Sequence, residues 1–173
     1  FYLNCRNIDP DVTLCFLGDH GMEAVTKAID LKREITSMAF NLNVIEGLDY
    51  GVFLDSTSVR FWFYQKSVSV SSFILAIKDN KLFCDFGRFL DDELCSFENL
   101  PPAAEIADLV WWAAKGTQVA PDYFHDDPKG KLGMHGYLRV DDISSGFIIC
   151  ASSQDTPAYF KDCECNELSE ILF

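Results

Sequence analysis

Residues 11–42 read D-V-T-L-C-F-L-G-D-H-G-M-E-A-V-T-K-A-I-D-L-K-R-E-I-T-S-M-A-F-N-L, and this stretch decides the fold class. Asp11 to Phe16 opens a β-branched and apolar run, V-T-L-C-F-L, which predicts a short strand buried on both faces, as in a parallel sheet, and ended by Gly18. Asp30 is placed as an N-cap, because its carboxylate can accept from the unpaired amides of the turn that follows. Leu31, Ile35, Met38, Ala39 and Leu42 then recur at helical spacing and form one apolar stripe. Strand, loop and amphipathic helix in this order make the βα unit of an α/β fold.

The pattern continues on both sides. Tyr50 to Leu54 and Val59 to Tyr64 read as two strands around a Ser56-Thr57-Ser58 turn. Val70, Phe73, Ile74 and Ile77 fall at i, i+3, i+4 and i+7, a second amphipathic helix. Lys81 to Phe86, Ile106 to Ala114 and Gly146 to Ala151 are expected as further strands, and Pro101-Pro102 interrupts regular structure. Gly133-Met134-His135-Gly136 falls in a Gly, Asp and Pro-rich stretch expected to be a loop. With no repeat and no low-complexity linker, residues 1–173 are expected to form a single α/β domain.

Composition supports a packed core. Fifteen Phe, six Tyr and three Trp in 173 residues are more aromatic supply than a disordered chain carries, and a chain this long buries roughly 70% of its unfolded surface. The longest apolar runs are far too short to cross a bilayer, so no membrane partner is expected. The formal charge of −13 repels phosphate backbones and argues against nucleic acid as a bulk partner. A small anionic substrate is still allowed, because a bound metal reverses the field locally. The seven Cys are scattered, with Cys15, Cys84 and Cys150 inside apolar runs where a thiol acts as a small hydrophobe. Cys163 and Cys165 are too close for a zinc knuckle, and a reducing, cytoplasmic setting is expected.

Two segments can carry chemistry. Gly18-Asp19-His20-Gly21-Met22 sets a carboxylate beside an imidazole between glycines, just past a strand, where open α/β sheets bind ligands. Carboxylate plus imidazole is an ordinary ligand set for zinc or a similar ion. On spacing alone, Asp19 also reads as a turn cap and His20 as a loop residue. In Gly133-Met134-His135-Gly136-Tyr137 another of the chain's three histidines lies between glycines, and it too fits a plain turn. Phe124-His125-Asp126-Asp127 has the makings of a weak metal site, but better fits an exposed turn. Ser56, Thr57 and Ser58 have no base near them in sequence and suit a turn. Arg60 fits either an anion contact or a strand's outer face, while Trp111-Trp112 fits core packing better than a base-stacking platform.

Taken in order, these segments resemble the alkaline phosphatase superfamily, in its nucleotide pyrophosphatase and phosphodiesterase-like branch. The resemblance is carried by G-D-H-G-M after the first strand and by Asp49-Tyr50 with Phe53-Leu54-Asp55-Ser56-Thr57. Arg60-Phe61-Trp62-Phe63, Pro121-Asp122-Tyr123-Phe124 and G-M-H-G-Y complete it. It spans roughly Asp11 to Ala151. It implies that the chain is the C-terminal portion of a larger hydrolase domain, with a mixed sheet flanked by helices. It implies two divalent metal ions, zinc by expectation, with Asp19 and His20 ligating one and His135 the other. Paired ions of this kind lie about 3.5–4 Å apart and clamp the attacking and leaving oxygens. Folding is therefore expected to bring His20 and His135 to one rim.

The departure from the family pattern is equally plain. The Ser or Thr nucleophile, a metal-binding Asp and a further Asp and His pair belong to an earlier half of such enzymes, and no residue here replaces them. The implied function is thus part of a phosphodiester or nucleotide pyrophosphate hydrolase, acting on a small phosphoester, with the catalytic apparatus incomplete in this chain. Phosphomonoester or sulfate ester hydrolysis is the near alternative. A non-catalytic binding or assembly module that keeps the fold is the other. The expected partners are an N-terminal chain that completes the site or a second copy paired through an exposed sheet edge.

Overall fold

The computed structural model describes residues 14–17, 20–138 and 147–150, and the fold is mixed α/β, with several sheets and flanking helices. In chain order the elements are β1 (Leu14–Leu17), β2 (Glu23–Ala24), β3 (Lys27–Ile29), α1 (Leu31–Leu42), β4 (Tyr50–Leu54), β5 (Ser58–Phe63), α2 (Val68–Asp79) and α3 (Lys81–Phe86). Then follow β6 (Gly87–Phe89), α4 (Asp92–Phe97), α5 (Ala103–Ile106), β7 (Leu109–Ala113), β8 (Thr117–Val119), β9 (Gly133–Met134) and β10 (Phe147–Cys150). The chain divides into two compact units, Phe1–Asp19 with Ser145–Phe173, and His20–Ser144.

In the first unit β1 pairs with β10, Leu14 opposite Cys150 and Leu17 opposite Phe147. The pairing is antiparallel, not the parallel one expected. An apolar run reports that a strand is buried and leaves open which strand lies beside it and in which direction.

In the second unit the helix expected after Asp30 is present. The Asp30 carboxylate accepts from Arg33 N at 2.9 Å, and Asn43 ends the helix in the left-handed conformation, with its N–H returned to the last turn. Leu31, Ile35 and Ala39 are buried along one stripe. The βα unit itself starts at β3 rather than β1, and β3 runs parallel to β8, Lys27 opposite Thr117 and Ile29 opposite Val119. Helix α2 is capped by Ser67 Oγ, which accepts from Val70 N, and buries Val70, Phe73 and Ile77.

The largest sheet has the order β4-β5-β7-β6, antiparallel throughout. Alternation along β7 sends neighbouring side chains to two different cores. Leu109, Trp111 and Ala113 join α1, α2 and α3 in the main core, while Val110 packs with Leu90, Cys95, Ala107 and Leu138. Trp111 is fully buried and donates its indole N–H to the Phe83 carbonyl at 2.9 Å, so the pair of tryptophans begins with a core residue.

Two expectations are corrected here. Lys81 to Phe86 is helix α3, not a strand. Asn80 caps it by accepting from Leu82 N at 2.9 Å, a local bond that starts a helical turn before any sheet partner is available. The strand comes one step later, at Gly87, where an added Cβ would meet the Trp111 ring at 2.2 Å. The turn to helix also leaves Cys84 exposed instead of buried in an apolar run. The side chains of Cys15 and Cys150 lie outside the described residues, as do Cys163 and Cys165. Among the described residues, no helix is long and apolar enough to cross a membrane.

Candidate functional site

A two-residue ladder builds the site. Strand β2 runs antiparallel to β9, Glu23 opposite Met134 and Ala24 opposite Gly133, and Val25 N extends it by donating to the Leu132 carbonyl at 2.9 Å. His20 lies three residues before this ladder and His135 directly after it, so the pairing draws together two segments more than a hundred positions apart. The two imidazoles stack, with ring centroids 3.8 Å apart and planes 15° from parallel. The Gly133-Met134 segment is therefore a short strand rather than a loop, and it carries the histidine at its end. Asp19 lies outside the described residues.

Each histidine is held. His20 Nδ1 is 3.0 Å from the Gly21 carbonyl, and the tautomer that donates this bond carries its lone pair on Nε2. A backbone carbonyl on one ring nitrogen is the usual device for aiming the other at a metal. His135 is fixed through Gly136, whose carbonyl accepts from Trp112 Nε1 at 2.7 Å and Thr57 Oγ1 at 3.0 Å. Gly136 has φ +88°, and an added Cβ would sit 3.0 Å from Thr57 Oγ1. Gly136→Ala is expected to destabilise the fold by about 1–2 kcal/mol through left-handed strain alone, read by chemical denaturation.

The opposite wall comes from the β4–β5 turn and the segment after the cis Ala120–Pro121 bond. Tyr123 N donates to the Leu54 carbonyl at 2.8 Å and ties the two together. Asp122 is the hub. Its side chain is fully buried, and its Oδ2 accepts from Ser56 Oγ at 2.6 Å. Its Oδ1 accepts from Phe124 N at 2.8 Å and His125 N at 2.7 Å, and the His125 ring lies 3.1 Å away through Nδ1. Burial alone would push this carboxyl up, but the hydrogen bonds from Ser56, the His125 ring and the two amides outweigh it and hold it below its ordinary value.

This hub was not legible in the sequence. Ser56 has a carboxylate partner after all, but one 66 positions away. A carboxylate already satisfied by four donors and held ionised is a weak base, so the contact braces the turn rather than activating the hydroxyl. The one local signal was an Asp with a His three residues on, the spacing of a side-chain turn. His125 is used there, on Asp122, and does not join the stacked pair. Arg60 is half-buried with its guanidinium 5.7 Å from the Phe53 ring centroid, an aromatic contact rather than a place on the cleft wall.

Between the two walls lies a cleft of about 460 Å³, lined among others by Met22, Asp55, Ser56, Thr57, Phe124, His125, Lys131, Met134 and His135. That is the size of small-molecule sites. No family model and no curated protein sequence matches the chain.

The metal expected here can be tested against the donors present. The two imidazoles stack with centroids 3.8 Å apart, which brings both side chains to one place on the cleft rim. One of them has its second nitrogen tied to a carbonyl, as ligating histidines do. Among the described residues, however, no group of three or more His, Cys, Asp and Glu side chains could hold an ion. The described donors fall short of a zinc site, since each zinc wants about four.

Proposed function

We propose that this chain supplies part of the metal site of a two-metal phosphoester hydrolase of the alkaline phosphatase superfamily, with Asp19, His20 and His135 as ligands. The nucleophile and the remaining ligands come from residues other than those of this chain. The observation that carries the proposal is the stacking of His20 on His135 across the β2–β9 ladder. Both rings lie at an exposed rim, and a shared metal centre would account for two imidazoles brought to one place from segments so far apart in sequence. When bound, such ions act as Lewis acids on the phosphoryl oxygens and lower the pKa of the attacking group. The chain's own part is to hold the two imidazoles, through the Gly21 carbonyl on one side and the pinned Gly136 on the other. Phosphodiesters or nucleotide pyrophosphates are the proposed substrates of the complete enzyme.

A second reading, a binding or assembly module without turnover, is favoured by the incomplete donor set among the described residues. Zinc uptake separates the two. The full chain is expected to bind zinc at the histidine pair and yet give no enzyme-like hydrolysis of bis(p-nitrophenyl) phosphate. Metal analysis after dialysis that finds no bound zinc would favour the module, and rapid turnover would show the catalytic apparatus to be complete.

A further inference from the structure

A second, smaller cavity of about 150 Å³ lies between helix α1 and strand β4, beside Tyr123, and shares no lining residue with the cleft. Ile35, Val52 and Leu54 give it an apolar side. Lys32 from α1 and Glu46 from the turn before β4 line it too, both exposed. Opposite charges on so small a cavity would gain by pairing. Yet among the described residues neither makes an ion pair or a side-chain hydrogen bond. Asp122 borders the cavity as well, but its carboxylate is committed to Ser56, Phe124 and His125.

The edge of β4 is open at the same place. On the side away from β5, Gly47 N donates to the Tyr50 carbonyl at 2.7 Å and Tyr123 N to the Leu54 carbonyl at 2.8 Å. Val52 lies between them and, two residues from each, turns its N–H and C=O to that side as well. Neither group has a partner there among the described residues. With both flanks taken, no third strand can lie along this edge, and the gap suits a small molecule that offers one acceptor and one donor. Lys32 calls for an anion, Glu46 for a cation, and the apolar side for a short hydrocarbon. All three meet in the zwitterion of an aliphatic α-amino acid, whose carboxylate and ammonium form charge-assisted bonds. Space allows it, since about 150 Å³ holds a benzene ring and a branched four-carbon side chain is smaller.

We propose that this cavity binds a free α-amino acid with a branched aliphatic side chain, its carboxylate toward Lys32 and its ammonium toward Glu46. The metal reading is not needed for it, and the test uses the full chain without added zinc. L-leucine is compared by NMR titration with 4-methylpentanoate, which lacks the ammonium, and with isopentylamine, which lacks the carboxylate. Leucine is expected to bind at least about tenfold more tightly than either, and than glycine, which lacks the side chain. Lys32→Met is expected to bring leucine down to the affinity of isopentylamine and leave isopentylamine itself unchanged. Glu46→Gln is expected to do the same relative to 4-methylpentanoate. Both side chains are exposed, so neither variant should unfold, and a melting curve of each checks this. Leucine that shifts no resonance of α1 or β4 at millimolar concentration would overturn the proposal. So would leucine that binds no better than glycine or its one-charge analogues, or that keeps its affinity in either variant.

Discussion

Asp122→Ala is expected to destabilise the His20–Ser144 unit by about 3–4 kcal/mol, the largest stability effect of any single substitution around the cleft. The carboxylate is fully buried and accepts from Ser56 Oγ, Phe124 N, His125 N and the His125 ring. Alanine leaves these donors facing a void, and each buried unmet donor costs about 1–3 kcal/mol, with partial relief where water enters. The expected fall in melting temperature is roughly 10 °C. Ser56→Ala removes one of the donors to the carboxylate and leaves the other three, and should cost about 1.5–2 kcal/mol. Chemical denaturation of both variants checks the ratio, and similar losses for the two would mean that Asp122 is not the hub.

The same carboxylate sets a pH dependence with a definite sign. Its folded pKa lies below the unfolded value of about 3.9. The stabilisation is therefore complete above that value and is lost as pH falls through the lower, folded one. Asp122→Asn removes this titration, so the stability gap between wild type and variant should be constant near neutrality and narrow below about pH 4.

How much of this was legible in the sequence differs element by element. Helices α1 and α2 were: in α1 cap and apolar period agree, Asp30 preceding the Leu31, Ile35, Ala39 stripe, and in α2 the period alone puts Val70, Phe73 and Ile77 on one face. The β4–β5 hairpin was, from two apolar runs around Ser56-Thr57-Ser58. Helix α3 was not, because six residues of K-L-F-C-D-F carry no period long enough to separate helix from strand, although Asn80 before them was the cap that decided it. Strands β2 and β9 are two residues each, too short for any pattern, and yet their pairing is what joins the two histidine segments. The meeting of His20 and His135 was expected from the order of motifs, not from local propensity. Asp122 was legible only as part of the Pro121-Asp122-Tyr123-Phe124 motif, and its bracing role was not, because its partner Ser56 is a contact of the folded chain alone.

The second large effect concerns the histidine pair. His20→Ala and His135→Ala are each expected to weaken zinc binding at least about 100-fold, since even groups that only orient a ligand are worth roughly 10–100-fold. Neither substitution should unfold the protein, because both rings lie at an exposed rim. His125→Gln is the control. Its ring is bound to Asp122 rather than to the stack, so zinc affinity should stay within about threefold of wild type. Isothermal titration of the three variants under one buffer checks the order, and equal losses in all three would point to adventitious binding by histidine in general.

The most direct measurement follows the imidazoles themselves. In a long-range 1H–15N correlation spectrum of the full chain, zinc titration is expected to move the ring nitrogens of His20 and His135 together, saturating at the same added metal, while those of His125 stay in place. Zinc that left the stacked pair unmoved, or that moved His125 first, would contradict a shared metal centre at the β2–β9 ladder.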